Sequence, residues 1–196
     1  ALTGARRTLV VKSPVAAAVG AGVEFHEPHG VMQIVLGGST TEISVLSLNG
    51  IVAARSMRTG GNAMDEAVVR YLRREKGIVI GVRTAEDLKM DLGSATEPEE
   101  DTTVRVKGRS VHTGRPETIE ITNRDIYLAL RAPVELLVDA IKDALANTPA
   151  ELAGDLMDKG IHLSGGGALL SGLNPLLHVA TMLPVLTSDL PKDDGA

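Results

Sequence analysis

The stretch MQIVLGGSTTEISVLSLNG, residues 32–50, constrains the fold more than any other part of the sequence. Apolar residues flank Gly37-Gly38 in short runs, which predicts two β-strands joined by a tight glycine turn. Asn49-Gly50 predicts a two-residue hairpin turn into a third strand, IVAARSM. We therefore expect a meander of three adjacent strands, whose glycine turn is of the kind that wraps an anion such as a nucleotide phosphate.

The rest of the chain alternates between strand and helix patterns. Further strands are predicted at RTLVVK (7–12), TTVRVKG, ETIEIT, GIHLS and LPVLTS. Helices are predicted at PVAAAVGAG, at GGNAMDEAVVRYLRREKG, at TAEDLKMDLGSA with Thr84 as its cap, after the GGG turn at 165–167, and from a cap at Thr122 or Asn123 onward with a kink or break at Pro133. Strands and helices mixed in this way, with meanders and crossovers, indicate the α/β class.

Composition excludes several classes of function. A net charge of -5 and only three aromatic side chains argue against a nucleic-acid partner. The absence of cysteine excludes disulfides and thiolate metal sites, and it fits a reducing cytoplasm. No apolar run approaches the roughly 20 residues of a membrane span, so direct membrane insertion is not expected. The five histidines lack the spacing of a metal site, and no metal ligand is predicted.

Glycine clusters are the candidate ligand site. They stand at Gly37-Gly38, at Gly60-Gly61 and at Gly165-Gly166-Gly167. Glycine lets backbone N–H groups approach a phosphate or a base closely. A tight turn explains any one cluster, but three clusters together favour a ligand.

Four side chains near these clusters have two interpretations each. Thr40 and Thr41 could offer hydroxyls to phosphate oxygens or to a metal-bound water, and they are the only catalytic candidates; they could also simply begin a strand. Glu86 and Lys89, three residues apart on one helix face, could bind a ribose or form a surface ion pair. Asp65, expected in the first turn of a helix, should complement the helix dipole and not contact ligand.

Five blocks of the sequence together resemble the MreB/Mbl family of bacterial actin-like proteins, over residues 3 to 188. The blocks are VVKSPVAAAVGAG, GGSTTEISVLSLNGIV, RTGGNAMDEAVVRYLRR, GVRTAEDLKMDLGSA and GIHLSGGGALLSGLNPLL. The resemblance implies an actin-like ATPase fold of ribonuclease-H-like subdomains, with a mixed sheet flanked by helices and a small strand-rich insertion. It also implies ATP in a cleft, and filaments under the cell membrane that organise wall synthesis and hold a rod shape.

Carried over residue by residue, the resemblance implies a phosphate loop and a set of base and ribose contacts. The phosphate loop is Gly37, Gly38, Ser39, Thr40 and Thr41, and the other contacts are Gly60, Gly61, Glu86, Lys89, Gly165, Gly166 and Gly167. It therefore favours ligand contact over a surface pair for Glu86 and Lys89. The implied organisation is a remnant of a first actin subdomain at 1–30, a second subdomain at 31–77 and 122–188, the insertion at 78–121, and a tail at 189–196.

The chain departs from the family pattern where the pattern carries its chemistry. Val35 replaces the aspartate that helps hold magnesium waters, and Ser39 replaces a third glycine. Lys12-Ser13 replace a glutamate pair, one member of which orients the attacking water. We therefore expect impaired Mg²⁺ coordination and slow or absent ATP hydrolysis. Family members carry about half their length before this point, so we expect an excised domain or a truncated paralogue that binds ATP weakly through one wall of the cleft.

Three functions stay open at this stage. The first is an MreB-like cytoskeletal protein of cell shape and wall morphogenesis, partnered by itself, by full-length MreB filaments and by membrane-associated wall-synthesis proteins. Such a protein would be cytoplasmic and would reach the inner face of the membrane through those partners. The second is an ATPase or phosphotransferase of the same superfamily, which the missing carboxylates disfavour. The third is a degenerate, non-polymerising interaction module.

Overall fold

Two β-sheets organise the part of the chain that the computed structural model describes, residues 10–188 and 191–194. The larger sheet has five strands in the order β3-β2-β1-β7-β8, and the smaller has three in the order β4-β5-β6. The strands are β1 (Val31–Leu36), β2 (Thr41–Ser47), β3 (Gly50–Met57), β4 (Ile78–Val79), β5 (Thr103–Ser110), β6 (Pro116–Thr122), β7 (Ile161–Ser164) and β8 (Val185–Thr187).

Six α-helices and one turn of 3-10 helix connect or cover these strands within the described residues. They are α1 (Ser13–Gly20), α2 (Gly61–Glu75), α3 (Val82–Leu92), α4 (Asn123–Ala146), α5 (Ala150–Lys159), α6 (Leu173–Thr181) and the 3-10 turn Gly166–Leu169. None of the helices in the described ranges is both long and apolar enough to cross a bilayer.

The five-stranded sheet contains the predicted meander. Strands β1, β2 and β3 pair antiparallel, whereas β1 with β7 and β7 with β8 pair parallel, so the sheet is mixed. Alternate residues of β1, Met32, Ile34 and Leu36, are almost fully buried in the main core, as a strand with one face on the core requires. The α/β class predicted from the sequence is confirmed.

The hairpin turn between β2 and β3 lies one residue earlier than Asn49-Gly50. Ser47 pairs with Gly50, and the two turn residues are Leu48 and Asn49, with φ of 49° and 59°. Positive φ at both central positions is the requirement of a type I′ turn. Asparagine tolerates this conformation well. In this turn Asn49 is the second central residue, and Leu48, the first, also has a positive φ.

The main core forms where helices α2 and α4 pack together beside the sheet. Val68 and Leu72 of α2 and Leu130 and Leu137 of α4 are 2% exposed or less. Each such side chain stabilises the fold by about 1.5–3 kcal/mol relative to an exposed one. Helix α4 is continuous through Pro133, because the buried residues on both sides of the proline pack into one core. Of the predicted kink or break at Pro133, the break is therefore wrong.

The first turn of α4 confirms Thr122 as a cap and adds a second role for that turn. The Asp125 N–H donates to Thr122 Oγ1 at 3.2 Å, and the Thr122 N–H donates to Asp125 Oδ2 at 3.0 Å, which is a capping box. Lys76 Nζ, at the end of α2, lies 2.9 Å from the same carboxylate oxygen. Since Lys76 and Thr122 flank the three-stranded sheet in the chain, Asp125 ties both of its connections together.

Asp125 is expected to give the fold an acid-sensitive contribution to stability. Burial alone would raise its pKa, but hydrogen bonds from Thr122 and the Lys76 ammonium lower the pKa below its ordinary value of 3.8. The contribution is therefore fully present above the unfolded pKa, and it is lost as pH falls through the lower folded pKa. We expect Asp125→Asn to lower the free energy of unfolding by about 1–3 kcal/mol at pH 7, and the difference from wild type to shrink below about pH 4 in urea titrations.

Asp101→Asn is the control for this prediction. Asp101 is mostly exposed, 3.7 Å from Arg124, and its loss should change stability by less than about 0.5 kcal/mol. If the Asp125→Asn difference stays the same from pH 7 to pH 3, the carboxylate of Asp125 is not the source of the acid sensitivity.

Two other local predictions are wrong. Val10 and Val11 are 96% and 59% exposed and lie in no strand, because no strand of the described part of the chain pairs with them. Residues 7–9 of that predicted strand lie outside the described residues. So do residues 1–9 of the expected remnant 1–30, and residues 189, 190, 195 and 196 of the expected tail.

The second wrong prediction concerns the start of α3. The helix begins at Val82 after Gly81, so Thr84 lies inside the helix and does not cap it.

Candidate functional site

The three glycine clusters meet at one cleft of about 450 Å³, which we call the glycine cleft. Its volume lies in the range of small-molecule sites. It is lined by Gly37, Gly38, Gly61, Asn62, Met64, Asp65, Glu86, Lys89, Met90, Asp91, Gly93, Gly166, Gly167, Leu169, Leu170, Ser171 and Lys192. Seven of the twelve sequence-predicted site residues are therefore on its wall.

The first two clusters are joined by backbone hydrogen bonds. The N–H groups of Gly61 and Asn62, at the start of α2, donate to the carbonyl oxygens of Gly37 and Gly38 at 3.0 and 2.8 Å. The carbonyl oxygens of the glycine turn thus accept hydrogen bonds from the first N–H groups of α2, a role that the side chain of a capping residue has in many helices. The Gly37 N–H is itself bonded to the Thr40 carbonyl at 2.9 Å.

The loop between β1 and β2 keeps backbone donors unused. Among the described residues, the N–H groups of Gly38, Ser39 and Thr40 have no protein acceptor. Successive free N–H groups in a turn form an anion-binding concavity, because their partial positive charges converge. This geometry fits the phosphate loop that the sequence implies.

Two glycines at the cleft are required by the fold itself. A Cβ on Gly60 would lie 2.7 Å from the Gly38 carbonyl oxygen, and a Cβ on Gly165 would lie 2.8 Å from the Leu36 carbonyl carbon. Gly165 also has φ of 85°, where side chains are strained. Gly60 allows its loop to pack closely against the Gly37-Gly38 turn, and Gly165 allows its loop to pack closely against Leu36. Neither glycine lines the glycine cleft.

Three other glycines are not explained by packing. An added Cβ on Gly38, Gly61 or Gly166 would meet no protein atom closer than 3.4 Å, and all three line the cleft. Nothing in the surrounding protein therefore demands glycine at these positions. A ligand that approaches the backbone closely would demand it.

Glu86 and Lys89 both lie on the cleft wall but do not pair with each other. Glu86 contacts Arg83 at 3.5 Å. Lys89 Nζ lies 2.7 Å from Asp65 Oδ1 and donates to the Gly61 carbonyl oxygen at 3.2 Å. Asp65 therefore neutralises a lysine from α3. The helix-dipole role predicted for it is wrong, because α2 begins at Gly61 and its first turn holds no acidic residue.

Ser39, Thr40 and Thr41 lie outside the cleft lining. The buried Thr41 hydroxyl donates to the Thr59 carbonyl oxygen at 2.6 Å and is occupied by that bond. The Ser39 hydroxyl accepts a long hydrogen bond of 3.4 Å from Asn62. The hydroxyl of Thr41 thus serves the start of β2, whereas Thr40 is exposed and, like the free N–H groups of this loop, stays available to a ligand.

The residues present do not fit a magnesium ion held by protein carboxylates. Val35 occupies β1 opposite Glu42, and its apolar side chain cannot accept a hydrogen bond from a metal-bound water. Lys12 and Ser13 lie with Glu42 in a separate depression, away from the glycine cleft. Within the described ranges, no three histidine, aspartate or glutamate side chains lie close enough to share a cation.

A polar network that the sequence did not predict supports the third glycine cluster. The buried Gln33 amide donates to Ser164 Oγ at 2.9 Å, and Ser164 Oγ donates to Asp194 Oδ2 at 2.7 Å. The Gly165 N–H donates to the Pro191 carbonyl oxygen at 2.6 Å. These bonds hold residues 191–194 beside the cleft, where Lys192 joins the wall. A glutamine inside an apolar strand was the available signal, since buried amides need partners.

Comparison with known proteins gives consistent matches. The family described as MreB/Mbl protein matches residues 1–194. The chain is 42% identical over 188 residues to the cell shape-determining protein MreB of Escherichia coli K12, which covers 96% of this chain and 54% of that protein. It is 37% identical over 191 residues to the cell shape-determining protein Mbl of Bacillus subtilis 168, covering 97% and 57%. The chain thus spans about half the length of these relatives.

A solved structure with the same fold is the crystal structure of MreB 5 of Spiroplasma citri bound to AMPPNP. The TM-score is 0.94 at 32% identity, over 98% of this chain and 58% of that one. This likeness confirms the expected actin-like fold, with its mixed sheet flanked by helices.

Proposed function

Because the chain belongs to the MreB/Mbl family, we propose that it is an actin-like cytoskeletal protein that binds ATP or ADP in the glycine cleft. The observation that carries the nucleotide part is the run of free N–H groups at Gly38, Ser39 and Thr40, beside a cleft of suitable size. The related MreB 5 of Spiroplasma citri has been solved with AMPPNP and with ADP.

The proposed division of labour in the cleft follows from the chemistry of its residues. The β1–β2 loop, Gly37 to Thr41, binds phosphate through its backbone. Gly61 and Gly166, of the second and third clusters, leave room for a flat ring close to the backbone. Lys89 offers an ammonium donor and Glu86 offers a carboxylate acceptor for sugar hydroxyls or base nitrogens.

We propose that hydrolysis is slow or absent in this chain. Phosphoryl transfer depends on a positioned metal and a positioned water. Val35 cannot hold metal-bound waters, and Lys12-Ser13 supply no carboxylate to orient a nucleophile. The bound nucleotide would then act mainly as a ligand that stabilises one conformation of the chain, and its hydrolysis would be slow or absent.

The proposed organisation places the five-stranded sheet with α2 and α4–α6 in a second actin subdomain, residues 31–77 and 122–188. The three-stranded sheet and α3 form its insertion, residues 78–121, and residues 1–30 belong to a first subdomain. The separate sheets support this division. The proposed partners are further copies of the chain, full-length MreB filaments, and wall-synthesis proteins at the inner face of the membrane. The relatives are named cell shape-determining proteins, which supports the cytoskeletal part of this proposal.

Two measurements on the purified chain test the proposal. Isothermal titration should detect ATP and ADP binding by this chain, which spans about half the length of its relatives, with a Kd on the order of 0.1–1 mM. Pelleting and electron microscopy with full-length MreB and ATP should place the chain in filaments. Absence of nucleotide binding would favour the interaction module, whereas binding without co-pelleting would remove the filament role.

A further inference from the structure

Asp65 is a carboxylate that the proposed function does not use. It lies on α2, is only 4% exposed, and faces the wall of the glycine cleft. Its Oδ1 atom lies 2.7 Å from Lys89 Nζ, as an ion pair without hydrogen-bond geometry. Burial of a charged carboxylate costs free energy unless a cation compensates the charge. The ammonium group of Lys89 provides this compensation for Asp65.

Lys89 reaches this position from α3, which packs against α2. Its side chain is 15% exposed, and its ammonium group has two partners on α2: it donates a hydrogen bond to the Gly61 carbonyl oxygen and forms an ion pair with the Asp65 carboxylate. An ammonium group has three N–H donors. The Gly61 carbonyl oxygen uses one of them, and the ion pair with Asp65 keeps the ammonium group against α2 at the cleft wall, so that donors remain for a ligand.

The ion pair of Asp65 and Lys89 is neutral overall, and this determines which ligand atoms Lys89 can bind. A free lysine attracts phosphate by charge, but a lysine beside a buried carboxylate acts mainly as a directed hydrogen-bond donor. Its remaining donors are available to an uncharged acceptor, such as a sugar hydroxyl or a ring nitrogen.

We propose that Asp65 is a positioning residue for nucleoside recognition: it holds the Lys89 ammonium against α2 so that its remaining donors meet the uncharged part of a nucleotide. This role rests on the proposed nucleotide binding, and through it Asp65 raises the affinity of the chain for nucleotide. Asp65 acts through Lys89 and does not contact the ligand.

The test is a double-mutant cycle on ADP binding, measured by isothermal titration. Asp65→Asn keeps the shape of the side chain and removes its charge, and it should raise the Kd for ADP about 5- to 20-fold. Lys89→Met should raise it by a similar factor. The double variant should bind no more weakly than Lys89→Met alone, because Asp65 has nothing left to position.

Asp125→Asn is the matched control. It removes a second carboxylate that is paired with a lysine, Lys76, directly after α2, and that pair does not line the cleft. It should lower stability and leave the Kd for ADP within twofold of wild type. A general effect of lost ion pairs would instead weaken ADP binding in both Asp65→Asn and Asp125→Asn.

A chemical readout tests the same contact without nucleotide. In the wild-type chain, Lys89 should be acetylated by acetic anhydride at least fivefold more slowly than the exposed Lys107, as measured by mass spectrometry. Asp65→Asn should remove most of that protection. Equal acetylation of Lys89 in both proteins would overturn the proposal even if Asp65→Asn bound ADP poorly.

The outcomes separate this inference from the function it rests on. Wild-type binding of ADP with an unchanged Kd in Asp65→Asn overturns the role of Asp65 and leaves nucleotide binding intact. Additive losses in the double variant would show that Asp65 acts independently of Lys89 and would also overturn it. No ADP binding by the wild-type chain overturns the proposed function and this inference together.

Discussion

Gly165→Ala is expected to lower the free energy of unfolding by about 3–5 kcal/mol, a large share of what a domain of this size has. Gly165 has φ of 85° and ψ of 162°, a backbone region that is essentially reserved for glycine. Its added Cβ would overlap the carbonyl oxygen of Leu36, which lies in the central strand β1. Relief of either problem requires movement of the β7 end away from β1. Urea unfolding followed by circular dichroism measures the loss.

Gly166→Ala is the matched control one residue further on. Its φ is not positive, and an added Cβ would come no closer than 3.9 Å to its nearest neighbour, Lys192. Stability should change by less than about 1 kcal/mol, whereas the Kd for ADP should rise if ligand closely approaches this backbone. Equal stability losses in the two variants would contradict the distinction between glycines needed for packing and glycines that face the cleft.

Val35→Asp is expected to make ATP binding depend on magnesium. The wild-type chain presents no carboxylate at the end of β1, so Mg²⁺ should change its Kd for ATP by less than about twofold. An aspartate at this position, beside the phosphate loop, accepts hydrogen bonds from metal-bound waters. We expect ATP to bind about tenfold more tightly with Mg²⁺ than with EDTA in the variant.

Val35→Asn separates charge from polarity in this experiment. It has the same size as Val35→Asp but cannot balance the charge of a cation, so its Kd should stay nearly independent of Mg²⁺. If the two variants behave alike, the lost carboxylate does not explain the missing metal site. If the wild-type chain hydrolyses ATP at a rate that Val35→Asp does not raise, our account of impaired hydrolysis is wrong.

Local patterns were enough to predict much of the fold. The apolar runs on both sides of Gly37-Gly38 predicted β1 and β2, and Thr122, one of the two residues expected to cap α4, is its cap. The start of α3 was not predicted, although Thr84 and Asp87 have the spacing of a capping box. Arg83 pairs with Glu86 and Asp87 across one helical turn, which favours a helix that begins earlier, at Val82.

The candidate site could be predicted only in part, because its geometry depends on contacts between distant segments. A glycine cluster indicates a turn, and the family resemblance supplied the expectation that three clusters share a cleft. The ion pair of Asp65 with Lys89 joins two helices whose relative position no local pattern contains. Residues 191–194 were expected to form only a tail, yet they lie against Gly165 through a network that begins at Gln33.

The parallel pairing of β1 with β7 has a consequence for the order of folding. Gln33 and Ser164, bonded across these strands, are 131 residues apart in the chain. The meander β1–β3 and the hairpin β5–β6 involve short loops and can form early, whereas closure of β1 onto β7 carries the entropy cost of a long loop and comes late. The third glycine cluster reaches the first only in that last step. A nucleotide that contacts both clusters would therefore slow unfolding more than it speeds folding, and the lifetime of the native state would depend on the ligand.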